Sequence, residues 1–129
     1  MRYLLDTQSL LWLLTDDHRL TATVKSTFLE MENEILLSIA SLWEMAIKIS
    51  LNKLSIEGTL HKFTEEHILG NAIEFLPVEP AHVFRLENLP FHHRDPFDRL
   101  IIAQAMEENL PIISSDSAFD KYKIRRIWS

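Results

Sequence analysis

Four carboxylates interrupt stretches of this chain that are otherwise apolar. They are Asp6, Glu44, Asp98 and Asp116. Asp6 is the only charged residue within residues 3–14, and Glu44 is the only charged residue within residues 35–47. A carboxylate in apolar surroundings is costly unless it is paired, protonated or bound to a metal. Nearby lysines and arginines are too few to pair all four, so the pattern indicates bound cations.

The ligand type restricts which cation this group of acids would take. Two divalent cations would neutralise four carboxylates, and a set of oxygen ligands suits Mg²⁺ or Mn²⁺ rather than Zn²⁺. Two such cations a few ångströms apart can hold the attacking and leaving oxygens of a phosphodiester. The residues therefore favour metal-assisted phosphodiester chemistry.

Each of these acids also has a purely structural interpretation. Asp6 can cap the helix that follows it, and Asp116 can cap a short turn. Glu44 can pair with Lys48 one helical turn later. Only the four acids taken together therefore favour a cation site over these structural roles.

Residues 93–105, HRDPFDRLIIAQA, contain two aspartates with different expected roles. We predict that Asp95 caps a helix, because Pro96 would then take the first helical position. Asp98 shares a helix face with apolar residues three, four and seven positions later. Asp95 is therefore the predicted cap and Asp98 the candidate metal ligand.

The elements that must position these acids alternate along the chain. We predict strands at residues 2–6, 34–38, 72–77, 110–115 and 123–128, the last as an edge strand. We predict helices at residues 7–15, 20–32, 39–51, 57–70, 79–88 and 95–109. Strand–helix alternation with short connections indicates an α/β fold with a parallel sheet of four to five strands flanked by helices. Sites in such sheets form at the carboxyl ends of the strands, where Asp6 and Asp116 are expected.

Length and composition limit the class of protein. The 129 residues suffice for a single domain over 1–129, and only two glycines and no linker interrupt them. Cysteine is absent, and we see no targeting segment or membrane span, so we expect a cytoplasmic protein. The net charge of -6 argues against a general nucleic-acid coat protein, which would be basic.

Four segments of the chain carry a resemblance to a known family. They are LLDTQSLLW, SLWEMAIK, HRDPFDRLIIAQA and IISSD, in this order. The chain resembles the PIN-domain ribonucleases, and among them the VapC-type toxins of bacterial toxin–antitoxin pairs. The resemblance implies a PIN-like fold and metal-dependent hydrolysis of RNA, with one or two Mg²⁺ or Mn²⁺ ions. The implied ligands, which would also be the catalytic residues, are Asp6, Glu44, Asp98 and Asp116.

The resemblance also implies partners and supporting residues. It implies a homodimer and a cognate antitoxin that blocks the toxin. Thr7 and Ser115 match hydroxyl positions beside the first and last acids, where simple capping is an equal alternative. Asp95 can also reach the site. Where related sequences often have histidine, this chain has Gln8, which affects only expected substrate contacts.

Basic residues near the expected site are candidates for contacts to RNA phosphates. They are Lys48, Arg94 and Arg99, with ion pairing to local acids as the alternative. The histidines show no metal-binding spacing, and we expect no catalytic role for His92 or His93. The competing function is a catalytically inactive PIN-like module that binds RNA or protein. The presence of all four acids argues against it.

Overall fold

The computed structural model describes residues 1–129, which form a five-stranded sheet covered by helices. The strands are β1 (Arg2–Leu5), β2 (Glu34–Ser38), β3 (Glu74–Leu76), β4 (Ile112–Ile113) and β5 (Arg126–Ile127). Their order in the sheet is β3-β2-β1-β4-β5, and every neighbouring pair is parallel. This confirms the predicted α/β fold and the predicted parallel sheet.

Six α-helices connect the strands. They are α1 (Thr7–Thr15), α2 (Ala22–Leu29), α3 (Ile39–Ser50), α4 (Leu60–Phe63), α5 (Pro80–Arg85) and α6 (Pro96–Glu107). None of them combines the length and the apolar character that a membrane crossing requires.

The helix predicted at residues 57–70 is the element that differs most from its prediction. Only α4 is α-helical, and it continues as a π-helical turn (Thr64–Ile68) and a 3-10 turn (Leu69–Asn71). The Thr64 hydroxyl donates to the carbonyl of Leu60 at 2.8 Å, at the point where the α-helix ends. Side-chain bonds of this kind compete with the helical backbone pattern, which explains the irregular continuation.

The central strands are buried on both faces. Leu4 lies in register with Leu36, and both belong to the core cluster that α6 covers. Leu5 lies in register with Leu37, and both belong to a second cluster on the opposite face. Successive side chains of one strand thus pack into two different core clusters, one on each face of the sheet. This is why β1 and β2 are apolar at consecutive positions.

The fourth strand is shorter than its predicted range of 110–115. β4 ends at Ile113, although the Ser114 N–H still donates to the carbonyl of Ile127 in β5 at 3.3 Å. The Ser114 hydroxyl accepts a hydrogen bond from the backbone N–H of Asp116 at 3.0 Å, which closes a local turn. This turn places Asp116 just beyond the carboxyl end of β4.

Candidate metal centre

The four acids singled out in the sequence line one cavity at the carboxyl edge of the sheet. The cavity has a volume of about 290 Å³ and is also lined by Thr7, Gln8, Lys48, Asp95 and Ser115. Asp6 directly follows β1, Glu44 lies on α3, and Asp98 lies in the first turn of α6. Asp116 follows the turn after β4. Four segments distant in sequence therefore place their carboxylates on the wall of one cavity, where Asp98 and Asp116, with His93, form the group whose ligand atoms all lie within 4.8 Å of one another.

Two of these acids cap the element that follows them. The Asp6 Oδ1 atom accepts from the backbone N–H of Ser9 at 2.8 Å at the start of α1. The Asp116 Oδ1 atom accepts from the N–H of Ala118 at 3.0 Å at the start of a 3-10 turn. The capping interpretations are therefore confirmed. Each cap uses only one carboxylate oxygen, so the caps are compatible with a second role.

Asp95 holds the start of α6. Its Oδ1 atom accepts from the backbone N–H groups of Phe97 and Asp98, at 2.9 and 3.0 Å, and Pro96 takes the first helical position. This confirms the predicted cap. The cap fixes the backbone of Asp98 at the start of the helix, and the side chain of Asp98 lines the cavity.

Glu44 is buried and held by two contacts. Its Oε1 atom accepts from the Thr7 hydroxyl at 2.8 Å, and its Oε2 atom lies 3.0 Å from Lys48 Nζ. The Thr7 hydroxyl also lies 2.9 Å from the Ser41 hydroxyl. A carboxylate only accepts, so Thr7 directs its proton to Glu44 and Ser41 donates to Thr7. Thr7 is the first residue of α1, and its hydroxyl also orients the carboxylate of Glu44.

His93 lies against the acids, although the sequence assigned it no role. Its Nε2 atom is 2.9 Å from Asp116 Oδ2 and 3.1 Å from Asp98 Oδ2. One atom from each of these three residues lies within 4.8 Å of the other two, as in a group that can hold a metal ion. The contact joins α6 to the turn after β4, so local sequence patterns give no signal for it.

Burial, and after it the neighbouring acids, raise the pKa of two of the four acids. The pKa of Asp98 is raised to about 7, mainly because burial disfavours its charge, and also because the charges of Asp95, Asp6 and Glu44 repel it. His93 opposes this shift. Burial likewise raises the pKa of Asp6, against hydrogen bonds from Ser114 and Ser9. The cavity therefore concentrates negative charge that the protein's own cations compensate incompletely.

Comparison with known proteins assigns the chain to a family. The PIN domain family profile matches residues 3–124. This chain is a member of the PIN domain family. Comparison with curated proteins gives no match.

Several solved structures share the fold of this PIN domain at low sequence identity. VapBC2 from Rickettsia felis, bound to a DNA fragment from its promoter, has 16% identity and a TM-score of 0.74, with 100% of both chains covered. FitAcB from Neisseria gonorrhoeae has 20% identity and a TM-score of 0.69, covering 98% of this chain and 96% of the other. DNA-bound VapBC from Salmonella typhimurium has 13% identity and a TM-score of 0.67, covering 98% and 97%.

The supporting role predicted for Ser115 stays a prediction, while its neighbour Ser114 has hydrogen bonds to two of the acidic residues. Ser115 lines the cavity and is exposed. The fully buried Ser114 forms a side-chain hydrogen bond with Asp6, and its hydroxyl accepts from the backbone N–H of Asp116 at 3.0 Å. Strand alternation explains the difference, since Ser114 follows Ile113 into the sheet while Ser115 already turns outward.

Arg99 is not available for the RNA contact predicted for it. It is 7% exposed. Its guanidinium donates to the backbone carbonyls of Leu89, Pro90 and His93, at 3.1, 3.0 and 3.3 Å respectively. The same group lies 3.8 Å from the centre of the Phe91 ring. Arg99 therefore holds the segment before α6 in place. Lys48 and Arg94 keep exposed positions and remain candidate phosphate contacts.

The residues present fit a divalent cation. The four acids supply the oxygen ligands that Mg²⁺ and Mn²⁺ prefer, on a rigid frame of strand ends and helix starts. The pKa of Asp98 is raised first by burial and then by the charges of neighbouring acids, and a bound cation would offset the second effect. Lys48 and His93 are the basic side chains within salt-bridge distance of the four acids, so compensation by the protein itself is incomplete.

Proposed function

We propose that this PIN domain is a metal-dependent endoribonuclease and the VapC-type toxin of a toxin–antitoxin pair. The observation that carries the proposal is the convergence of four carboxylates, from four separate segments, on one cavity at the carboxyl edge of the sheet. The family assignment supports nuclease chemistry, and the fold is that of the VapBC complexes. The choice of RNA over DNA follows the family resemblance.

We propose Asp6, Glu44, Asp98 and Asp116 as the catalytic residues that hold one or two Mg²⁺ or Mn²⁺ ions. When bound, such ions supply a hydroxide nucleophile at neutral pH and neutralise charge on the leaving oxygen. Asp98 must release its proton for this role, since metal ligands bind in their deprotonated form.

The remaining cavity residues orient these ligands and the substrate. Thr7 holds one oxygen of Glu44 and leaves the other facing Lys48. Asp95 fixes the first turn of α6 and thereby the direction of Asp98. The exposed side chains of Lys48, which lines the cavity, and Arg94, which precedes Asp95 in sequence, are proposed to contact the RNA backbone, because an acidic cavity alone would repel phosphate.

We also propose a cognate antitoxin and a homodimer as the partners of this chain. Structures that share its fold were solved as VapBC complexes and as a toxin–antitoxin complex from Klebsiella pneumoniae. The antitoxin would block the cavity, in line with the family resemblance. RNA is the proposed substrate.

RNA cleavage by the purified chain tests the proposal. Wild type is incubated with a mixed RNA pool and Mg²⁺ or Mn²⁺, with EDTA as the metal-free condition. We expect discrete cleavage products only with metal, and loss of at least about 100-fold in rate for Asp6→Asn. Asparagine keeps the helix cap, so the fold of this variant should be preserved.

Asp16→Asn is the matched control for Asp6→Asn. Asp16→Asn makes the same chemical change at a side chain that is 84% exposed, and it should cleave like wild type. Cleavage that persists in EDTA, or that is equal in Asp6→Asn, would contradict the proposal. Binding of RNA without any cleavage would favour the inactive binding module instead.

A further inference from the structure

His93 touches two of the proposed metal ligands without lining their cavity. Its side chain is 14% exposed, and its ring packs against the buried ring of Phe119, with 5.5 Å between ring centres. Asp98 and Asp116 line the cavity, whereas His93 does not. His93 therefore contacts two carboxylates of the cavity wall although its own side chain is not part of that wall.

The hydrogen bonds of the imidazole decide what it can offer. The backbone N–H of Asp95 donates to His93 Nδ1 at 3.2 Å, so Nδ1 carries a lone pair. In the neutral ring the proton is then on Nε2, which faces Asp98 Oδ2 and Asp116 Oδ2. Nε2 is a donor to both carboxylates and has no lone pair for a metal. The imidazole is therefore not a metal ligand in this arrangement.

The backbone of His93 is fixed from both sides. Its N–H donates to the Tyr122 hydroxyl at 2.9 Å, and the Tyr122 hydroxyl donates to the carbonyl of Pro90 at 2.7 Å. Its carbonyl accepts from the Arg99 guanidinium at 3.3 Å. A residue held in this way can act as a fixed reference point for side chains that touch it.

We propose that His93 is a positioning residue that holds the carboxylates of Asp98 and Asp116 together for the cation. The inference rests on the metal site of the proposed function. Two carboxylates this close repel each other, and one N–H shared between them offsets that repulsion before the cation binds. Outer contacts of this kind orient ligands and tune metal affinity, with losses of about 10–100-fold when they are removed.

Manganese binding by calorimetry tests the inference with two variants. His93→Phe keeps a ring against Phe119 but removes the donor, and we expect the Kd for Mn²⁺ to rise by roughly 10-fold or more. His93→Gln retains an N–H donor and should recover part of this loss. His92→Phe, which changes the exposed neighbour in the same way, should bind Mn²⁺ like wild type.

Thermal melting of the metal-free variants separates positioning from a general structural role. A structural role alone would lower the melting temperature of His93→Phe and leave the Kd of the folded protein unchanged, which would overturn the inference. Tighter binding by His93→Phe would also overturn it, because His93 would then compete with the cation. Absence of binding by wild type would instead refute the metal site of the proposed function, and the inference with it.

Discussion

Asp98→Asn is expected to lose RNA cleavage by at least about 100-fold and yet to stabilise the metal-free protein at pH 8. The carboxylate has a folded-state pKa of about 7, above its ordinary value of 3.8, so its ionisation opposes folding at pH 8. Asparagine removes this cost. Allowing for solvent screening of a side chain that is 25% exposed, we expect a gain on the order of 2 kcal/mol, or roughly 5–10 °C in Tm.

The change of Tm with pH tests whether ionisation of Asp98 destabilises the metal-free protein. A raised folded-state pKa contributes stability that is present at low pH and is lost as pH rises through about 7. The Tm of metal-free wild type should therefore fall between pH 5 and pH 8 more steeply than that of Asp98→Asn. Asp16→Asn should follow wild type at both pH values. An Asp98→Asn protein that melts below wild type at pH 8 would contradict the electrostatic account of the cavity.

Arg99→Ala is expected to be the most destabilising change outside the hydrophobic core. It leaves the carbonyls of Leu89 and His93 without this donor and removes the cation above the Phe91 ring, while the Pro90 carbonyl keeps the Tyr122 hydroxyl as its donor. A buried acceptor without a partner costs about 1–3 kcal/mol, and the Leu89 and His93 carbonyls lose theirs, so we expect a loss of roughly 2 kcal/mol or more in the free energy of unfolding. Urea unfolding of the metal-free protein measures this loss.

Two further variants make the Arg99 prediction specific. Arg99→Lys keeps the charge but not the planar group that reaches three carbonyls, so its stability should lie between those of wild type and Arg99→Ala. Arg85→Ala removes an arginine from an exposed ion pair with Glu107 and should cost about 0–1 kcal/mol. Equal stability of Arg99→Ala and Arg85→Ala would refute the structural role of Arg99.

Local sequence patterns were sufficient to predict most strands and helices and the residues that cap the helices. The apolar runs that become β1 and β2 are continuous because both faces of these strands are buried, so periodicity and length identify them. The cap at Asp95 is encoded within four residues, since Pro96 can only take the first turn of a helix. Asp6 and Asp116 were predictable as neighbours because parallel strands end at the same edge of a sheet.

Contacts between distant segments were not predictable in the same way. The sequence shows that Arg99 is basic, but not that three carbonyls of the preceding segment fold back onto its guanidinium. His93 acquires its place only when the turn after β4 meets α6. The choice between Ser114 and Ser115 depended on where β4 ends, and one residue there reverses the direction of a side chain.

Calorimetric titration of Mn²⁺ into the purified chain tests the central claim most directly, with Glu44→Gln beside wild type and Asp16→Asn. Glu44 is the decisive residue, because its ion pair with Lys48 offers a complete structural explanation without any metal. If the four acids form one cation site, wild type and Asp16→Asn bind Mn²⁺ and Glu44→Gln loses at least about 10-fold in affinity. Equal binding by Glu44→Gln, or no binding by wild type at millimolar Mn²⁺, would contradict the account.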